Sequence, residues 1–134
     1  MNAKQEYALR MRETDVQGAV RRLGGDEKLY MDCLGLFLED PTMVQLNQAV
    51  DNKDWDGAFT AAHAMKGLAG NMGFVPLMHS TGQLIIMIRG GRMKETDEYM
   101  ARVNSSYRDI TDAIRGSFSP ETTIEDGMQI GAEG

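Results

Sequence analysis

Of the two histidines in this 134-residue chain, His63 stands in unusual company. Lys66 follows three residues later, then Gly67 and Gly70. On a helix, at about 100° per residue, His63, Gly67 and Gly70 fall on nearly one line, with Lys66 beside them one turn on. Two glycines inside a helix cost about 1 kcal/mol each relative to alanine, and alanine would serve any ordinary helix contact. What glycine adds is room for another backbone or a ligand to come close. A neutral imidazole nitrogen can take a phosphoryl group, as histidine does in covalent catalysis. A lysine one turn away favours the negative charge that arrives with that group. The cleared platform lets a second protein bring its own reacting group into line.

These residues need a helix that shows them to solvent, and the surrounding sequence supplies one. Asp54 is an N-cap residue by type, and Trp55 to Met72 follows with Trp55, Ala58, Ala62, Met65, Ala69 and Met72 as an inner stripe. His63 lies about 120° from the centre of that stripe, on the shoulder or outside of the packed helix. Phe59 lies at its flank and is a candidate docking contact, because exposed apolar groups beside a functional site mark interfaces.

The remaining elements are also read as helices. Strand signals are weak, and the chain is rich in Ala, Leu, Met, Glu, Asp and Arg. Ala3 to Arg12 is a short helix candidate. Asp15 caps a second, which runs to Leu23 before Gly24-Gly25. Asp26 caps a longer helix with Leu29, Tyr30, Cys33, Leu34, Phe37 and Leu38 as its apolar stripe, and Cys33 is expected to be an inert core thiol. Pro41 is expected to kink or break that helix, which resumes through Val44, Leu46 and Val50. Gly73 and Pro76 mark a turn, and a helix from about Pro76 to Arg89 carries Leu77, Thr81, Leu84 and Ile88 on one face. His79 lies opposite that face and is expected to be solvated. After Gly90-Gly91 the spacing of Met93, Thr96, Met100, Val103, Tyr107, Ile110 and Ile114 predicts a helix ending at Gly116. Short loops between long helices predict an all-α, up-down-up-down four-helix bundle with an additional short N-terminal helix. Its expected division is an N-terminal extension over 1–13, the bundle over 14–116, and an irregular acidic tail over 117–134.

Composition bounds the function further. The formal charge is −6, but four acidic residues fall in the tail, which has no Lys or Arg. The body keeps 16 acidic and 14 basic residues, a net of −2. Neither total suits general binding to nucleic acid. Arg10, Arg12, Arg21, Arg22, Arg89 and Arg92 could face a partner's acidic surface, but such residues more often form a solvated face. One cysteine excludes an intrachain disulfide and a cysteine-rich zinc site, and no Cys/His cluster adjoins either histidine. The apolar run Leu84 to Ile88 is too short for a membrane span, and Met1 to Arg12 has no apolar signal region. The expectation is a cytoplasmic, monomeric, single-domain protein, free-standing to judge from its starting methionine, with no membrane or nucleic-acid partner.

The segment His63-Ala64-Met65-Lys66-Gly67-Leu68-Ala69-Gly70-Asn71-Met72-Gly73 resembles the signature of the histidine-containing phosphotransfer (HPt) domain family. Arg21 to Tyr30 looks like that family's helix–turn lead-in, and Asn52-Lys53-Asp54-Trp55 like its approach to the histidine helix. The resemblance covers roughly Thr14 to Arg115. It implies a phosphocarrier of two-component phosphorelays, with no ATP site, consistent with the lack of a Walker-A or kinase glycine loop. By the resemblance, His63 is the phosphoacceptor, Lys66 steadies the phosphoryl group, and Gly67 and Gly70 permit docking, while Gly73 either joins them or is only the C-terminal stop of the helix. Gln83, with Thr81 second, is the candidate to hydrogen-bond the imidazole. The implied partners are receiver domains of response regulators and hybrid histidine kinases. The chain itself would bind no cofactor, with a magnesium ion expected on the partner receiver. A competing reading is a helical adaptor that binds such partners without phosphotransfer.

Overall fold

The computed structural model describes residues 1–118. They form helices α1 (Ala3–Arg10), α2 (Val16–Arg22), α3 (Glu27–Glu39), α4 (Thr42–Asp51), α5 (Trp55–Met72), α6 (Val75–Arg89) and α7 (Thr96–Phe118). A single 3-10 turn, Met93–Glu95, leads into α7. No strand occurs among the described residues beyond one isolated bridge, Thr14 to Phe74. The chain is therefore all-α. The expected acidic tail lies, from residue 119 on, outside the described residues.

Local chemistry sets the helix starts. The carboxylates of Asp15, Asp26 and Asp54 each accept the backbone N–H three residues on, at 3.0 Å in every case. At Pro41 the long N-terminal helix breaks into α3 and α4. Asp40 takes extended geometry, ψ 131°, and its carboxylate accepts the Thr42 N–H at 2.8 Å. α3 and α4 together form the first leg of the bundle, and α5, α6 and α7 the other three. α4 packs on α5, α5 on α6, α6 on α7, and α7 on α3. Reciprocal amide hydrogen bonds between Asn47 and Asn104, both 3.1 Å, tie α4 across to α7.

The core contains most of the predicted stripes. Ala58, Ala62, Met65, Ala69 and Met72 of α5 are buried, as are Leu77, Thr81, Leu84 and Ile88 of α6, and Met100, Val103, Ile110 and Ile114 of α7. Phe37 meets Phe74 edge-on at 4.9 Å between ring centroids. Three expectations are corrected. Cys33 is half-buried at the edge of the core, not inside it. Leu29 stays outside the core with 42% of its surface exposed, because the interior side of α3 is filled by Tyr30, Leu34 and Phe37. α7 continues to Phe118, two residues past Gly116, where Gln5 of α1 donates to the Ser117 carbonyl at 3.0 Å. Through α1, packed on α7, the N-terminal extension shares the core of the bundle, with Leu9 fully buried.

Candidate functional site

α5 is held at both ends by residues distant in sequence. Its start is capped by Asp54. Its end leaves carbonyls without helical partners, and each finds one. Arg22 donates to the carbonyls of Gly70 at 2.7 Å and Asn71 at 3.0 Å. The buried Tyr30 hydroxyl donates to the Met72 carbonyl at 2.9 Å. The Gly73 carbonyl accepts the Asp15 N–H at 2.8 Å. α2 and α3 thus clamp the C-terminal end of the helix that carries His63.

On that helix His63 and Lys66 are both exposed. The three glycines after them do three different things. Gly67 is exposed, and a Cβ added there would meet no heavy atom within 4 Å, so it leaves open surface beside His63. Gly70 is half-buried and faces α6, where a Cβ would lie 3.3 Å from the Met78 sulfur. Gly73 is buried at the helix end with φ +80°, and a Cβ there would run into the backbone of Asp15. Of the two readings of Gly73, docking or helix stop, the structure favours the second, a left-handed C-cap that also lets α2 approach, and the docking reading is corrected. Its burial keeps it off the surface that a partner could reach.

The neighbouring helix completes the site. Lys66 lies across Gly82 of α6, whose added Cβ would be 3.7 Å from Cε and 3.9 Å from Nζ. The Phe59 ring stacks on the His63 imidazole, with centroids 5.9 Å apart and planes 6° from parallel. The Arg89 guanidinium carbon sits over the same phenyl ring, 5.1 Å from its centroid. Ile86 is an exposed large apolar residue on α6, with 63% of its surface open. The exposed site thus combines an imidazole, two cations and apolar surface. Among the described residues neither Lys66 nor Arg89 joins an ion pair.

The candidates for orienting the imidazole are not brought together with it. Thr81 is buried, and its hydroxyl donates within α6, to the Leu77 and Met78 carbonyls at 2.8 and 3.0 Å. Gln83 is half-buried, and no hydrogen bond joins it to His63 among the described residues. His79 is exposed on α6 as expected. Of the arginines read as a solvated face, Arg10, Arg22, Arg89 and Arg92 have definite contacts, Arg10 with Glu6 at 3.5 Å and Arg92 with Glu95 at 2.7 Å. Gly82, Ile86 and the Arg89–Phe59 contact are site features that sequence reading missed. The signal for Gly82 was present, as a glycine inside a helix, but only the helix–helix register shows that Lys66 lies over it.

Among the described residues no group of three or more His, Cys, Asp or Glu side chains is placed to hold a metal ion. No described helix is long and apolar enough to cross a membrane. Comparison with curated proteins and with solved structures gave no match. A family model for the Hpt domain matches residues 35–116, from within α3 to the last turns of α7. The match spans more than half of the chain and includes the whole of α5 and α6, while the upstream lead-in, residues 21–30, falls outside it. With this match and an all-helical bundle, the chain belongs to the Hpt domain family, whose members carry phosphoryl groups on histidine in phosphorelays and interact with receiver domains.

Proposed function

We propose that His63 accepts a phosphoryl group from an aspartate of one receiver domain and passes it to an aspartate of another. The observation that supports this is the placement of an exposed imidazole on α5, with Lys66 one turn on and the open surface at Gly67 beside it. In the forward step a ring nitrogen forms an N–P bond as the acyl-phosphate P–O bond breaks, and the aspartate leaves as a carboxylate. The second receiver reverses these events. Lys66, extended over Gly82, supplies positive charge for the phosphoryl oxygens. Gly67 keeps the approach low, Gly70 lets α6 pack close beside it, and Phe59 belongs to the apolar part of the docking face. Positioning is the main contribution asked of this chain, as in phosphoryl transfer generally. The receiver supplies the acidic pocket and its magnesium ion, while this chain works without a cofactor or ATP site, as a cytoplasmic monomer.

The test is transfer of label from a receiver phosphorylated on its aspartate to the purified chain. Wild-type protein is expected to gain acid-labile, alkali-stable label. His63→Gln is expected to gain none while keeping its helical circular dichroism and receiver binding. Transfer that survives in His63→Gln overturns the assignment. Binding without transfer by the wild-type chain, tested across the receivers of the same genome, supports the adaptor reading instead.

A further inference from the structure

We propose that Phe59 is the positioning residue for the His63 imidazole, and that Arg89 in turn steadies Phe59. The proposal rests on the reading of His63 as phosphoacceptor and adds how this chain orients that ring.

A nucleophilic imidazole needs a defined ring plane, since in-line attack tolerates little misplacement. A hydrogen bond to its second nitrogen is the common means. Here the helix–helix register removes that option. Gly70 faces Met78, Lys66 faces Gly82 and Phe59 faces Arg89, an antiparallel register in which each residue number on α5 rises as its partner on α6 falls. The same register sets Ile85 across from His63, and Ile85 is buried and apolar. Gln83 lies two residues further along, about 3 Å down the axis and some 200° around it. Thr81 is committed to its own helix.

What the imidazole does have is a flat aromatic neighbour. Phe59 precedes His63 by four residues, one turn along the same face, the spacing at which helix side chains meet. The near-parallel planes, 6° apart at 5.9 Å between centroids, are an offset stack. Phe59 is itself half-buried and covered by the Arg89 guanidinium at 5.1 Å. The contact is built from three side chains on two helices, so the imidazole plane is tied to the α5–α6 pair. Ring stacking restricts the tilt of the imidazole while leaving both of its edge nitrogens open. One nitrogen can then attack phosphorus and the other can exchange its proton with water.

The test uses phosphoramidate as the donor, a small molecule that needs no docking surface. In labelling, the lone pair of the neutral imidazole forms the N–P bond, the P–N bond of phosphoramidate breaks, and ammonia leaves. The imidazolium so formed returns its other proton to solvent. The full chain is compared with Phe59→Leu, Phe59→Tyr and Arg89→Gln, with thermal unfolding as a check on folding. The second readout is the His63 ring resonances, distinguished from those of His79 by a His79→Gln variant. Phe59→Leu is expected to slow labelling about tenfold and to abolish the ring-current contribution to the His63 shifts. Phe59→Tyr, which keeps the ring, is expected to stay near wild type, and Arg89→Gln to fall between. Labelling of Phe59→Leu at the wild-type rate, an unchanged His63 resonance in it, or a Phe59→Tyr variant as slow as Phe59→Leu overturns this proposal alone. A folded wild-type chain that takes no label on His63 overturns both this proposal and the phosphoacceptor reading.

Discussion

Gly67 and Gly73 lie six residues apart and show how one residue type serves opposite needs. Gly67 sits in a helix interior with open space where a side chain would go. Its absence of a side chain does nothing for the fold, and its cost in helix stability is offset only by the close approach it allows at the surface. Gly67→Ala is therefore expected to raise stability by about 0.5–1 kcal/mol. Gly73 has φ +80° and the Asp15 backbone against it. Gly73→Ala combines left-handed strain with a clash and is expected to cost about 3 kcal/mol. Urea unfolding of the two variants checks both signs. A Gly67→Ala protein less stable than wild type would show that this glycine has a structural task after all. The motif around His63 was legible at this scale because it is carried by residue types at fixed spacing. The separate roles of its glycines were not, because they depend on which neighbouring helix each one faces.

At the scale of the element, the end of α5 depends on groups from two other helices. The Tyr30 hydroxyl donates to the Met72 carbonyl only while it is protonated. Burial raises the Tyr30 pKa far above the ordinary 10.0, and the nearby Arg22 charge offsets only part of that effect. The unfolded phenol ionises near 10, and the folded one only at higher pH. Below pH 10 both states hold the proton and the contribution is fully present. Above it the unfolded state gains by ionising, so stability falls as pH rises towards the folded pKa. Tyr30→Phe is expected to lose about 1 kcal/mol at neutral pH, from the missing hydrogen bond, and to show a shallower decline between pH 9 and 11. Urea midpoints measured across that range test this, and a decline as steep as that of the wild type counts against Tyr30 as its source. The helix itself was legible. Asp54 and the stripe from Ala58 to Met72 predict its start, face and end. The clamp by Arg22 and Tyr30 joins positions more than forty residues apart, and no local pattern carries it.

At the scale of the whole molecule, the bundle is closed by the segment that precedes it. α1 packs on α7 and places Leu9, fully buried, in the common core. Leu9→Ala is expected to cost about 3 kcal/mol by thermal or urea unfolding, with phosphotransfer by the folded fraction unchanged. A loss well under 1 kcal/mol would mean that α1 contributes little to the core. The family match begins only at residue 35, so the helices that secure the end of α5 lie mostly outside the shared region.

Capping and periodicity are local, and by themselves they determined most of the helices. The carboxylates of Asp15, Asp26 and Asp54 bond amides three residues away, and Pro41 acts on the residue before it. The apolar stripes at helical spacing determined which faces turn inward, because burial of apolar surface drives their packing. The exposure of His63 and Lys66 follows from the same pattern. Only the tertiary structure decided what stands across from them. Helix-to-helix register depends on how whole ridges of side chains interlock, a property of two elements together that neither sequence segment contains alone. That register lays Lys66 over Gly82, sets Ile85 rather than a polar residue across from His63, and brings Arg89 over Phe59.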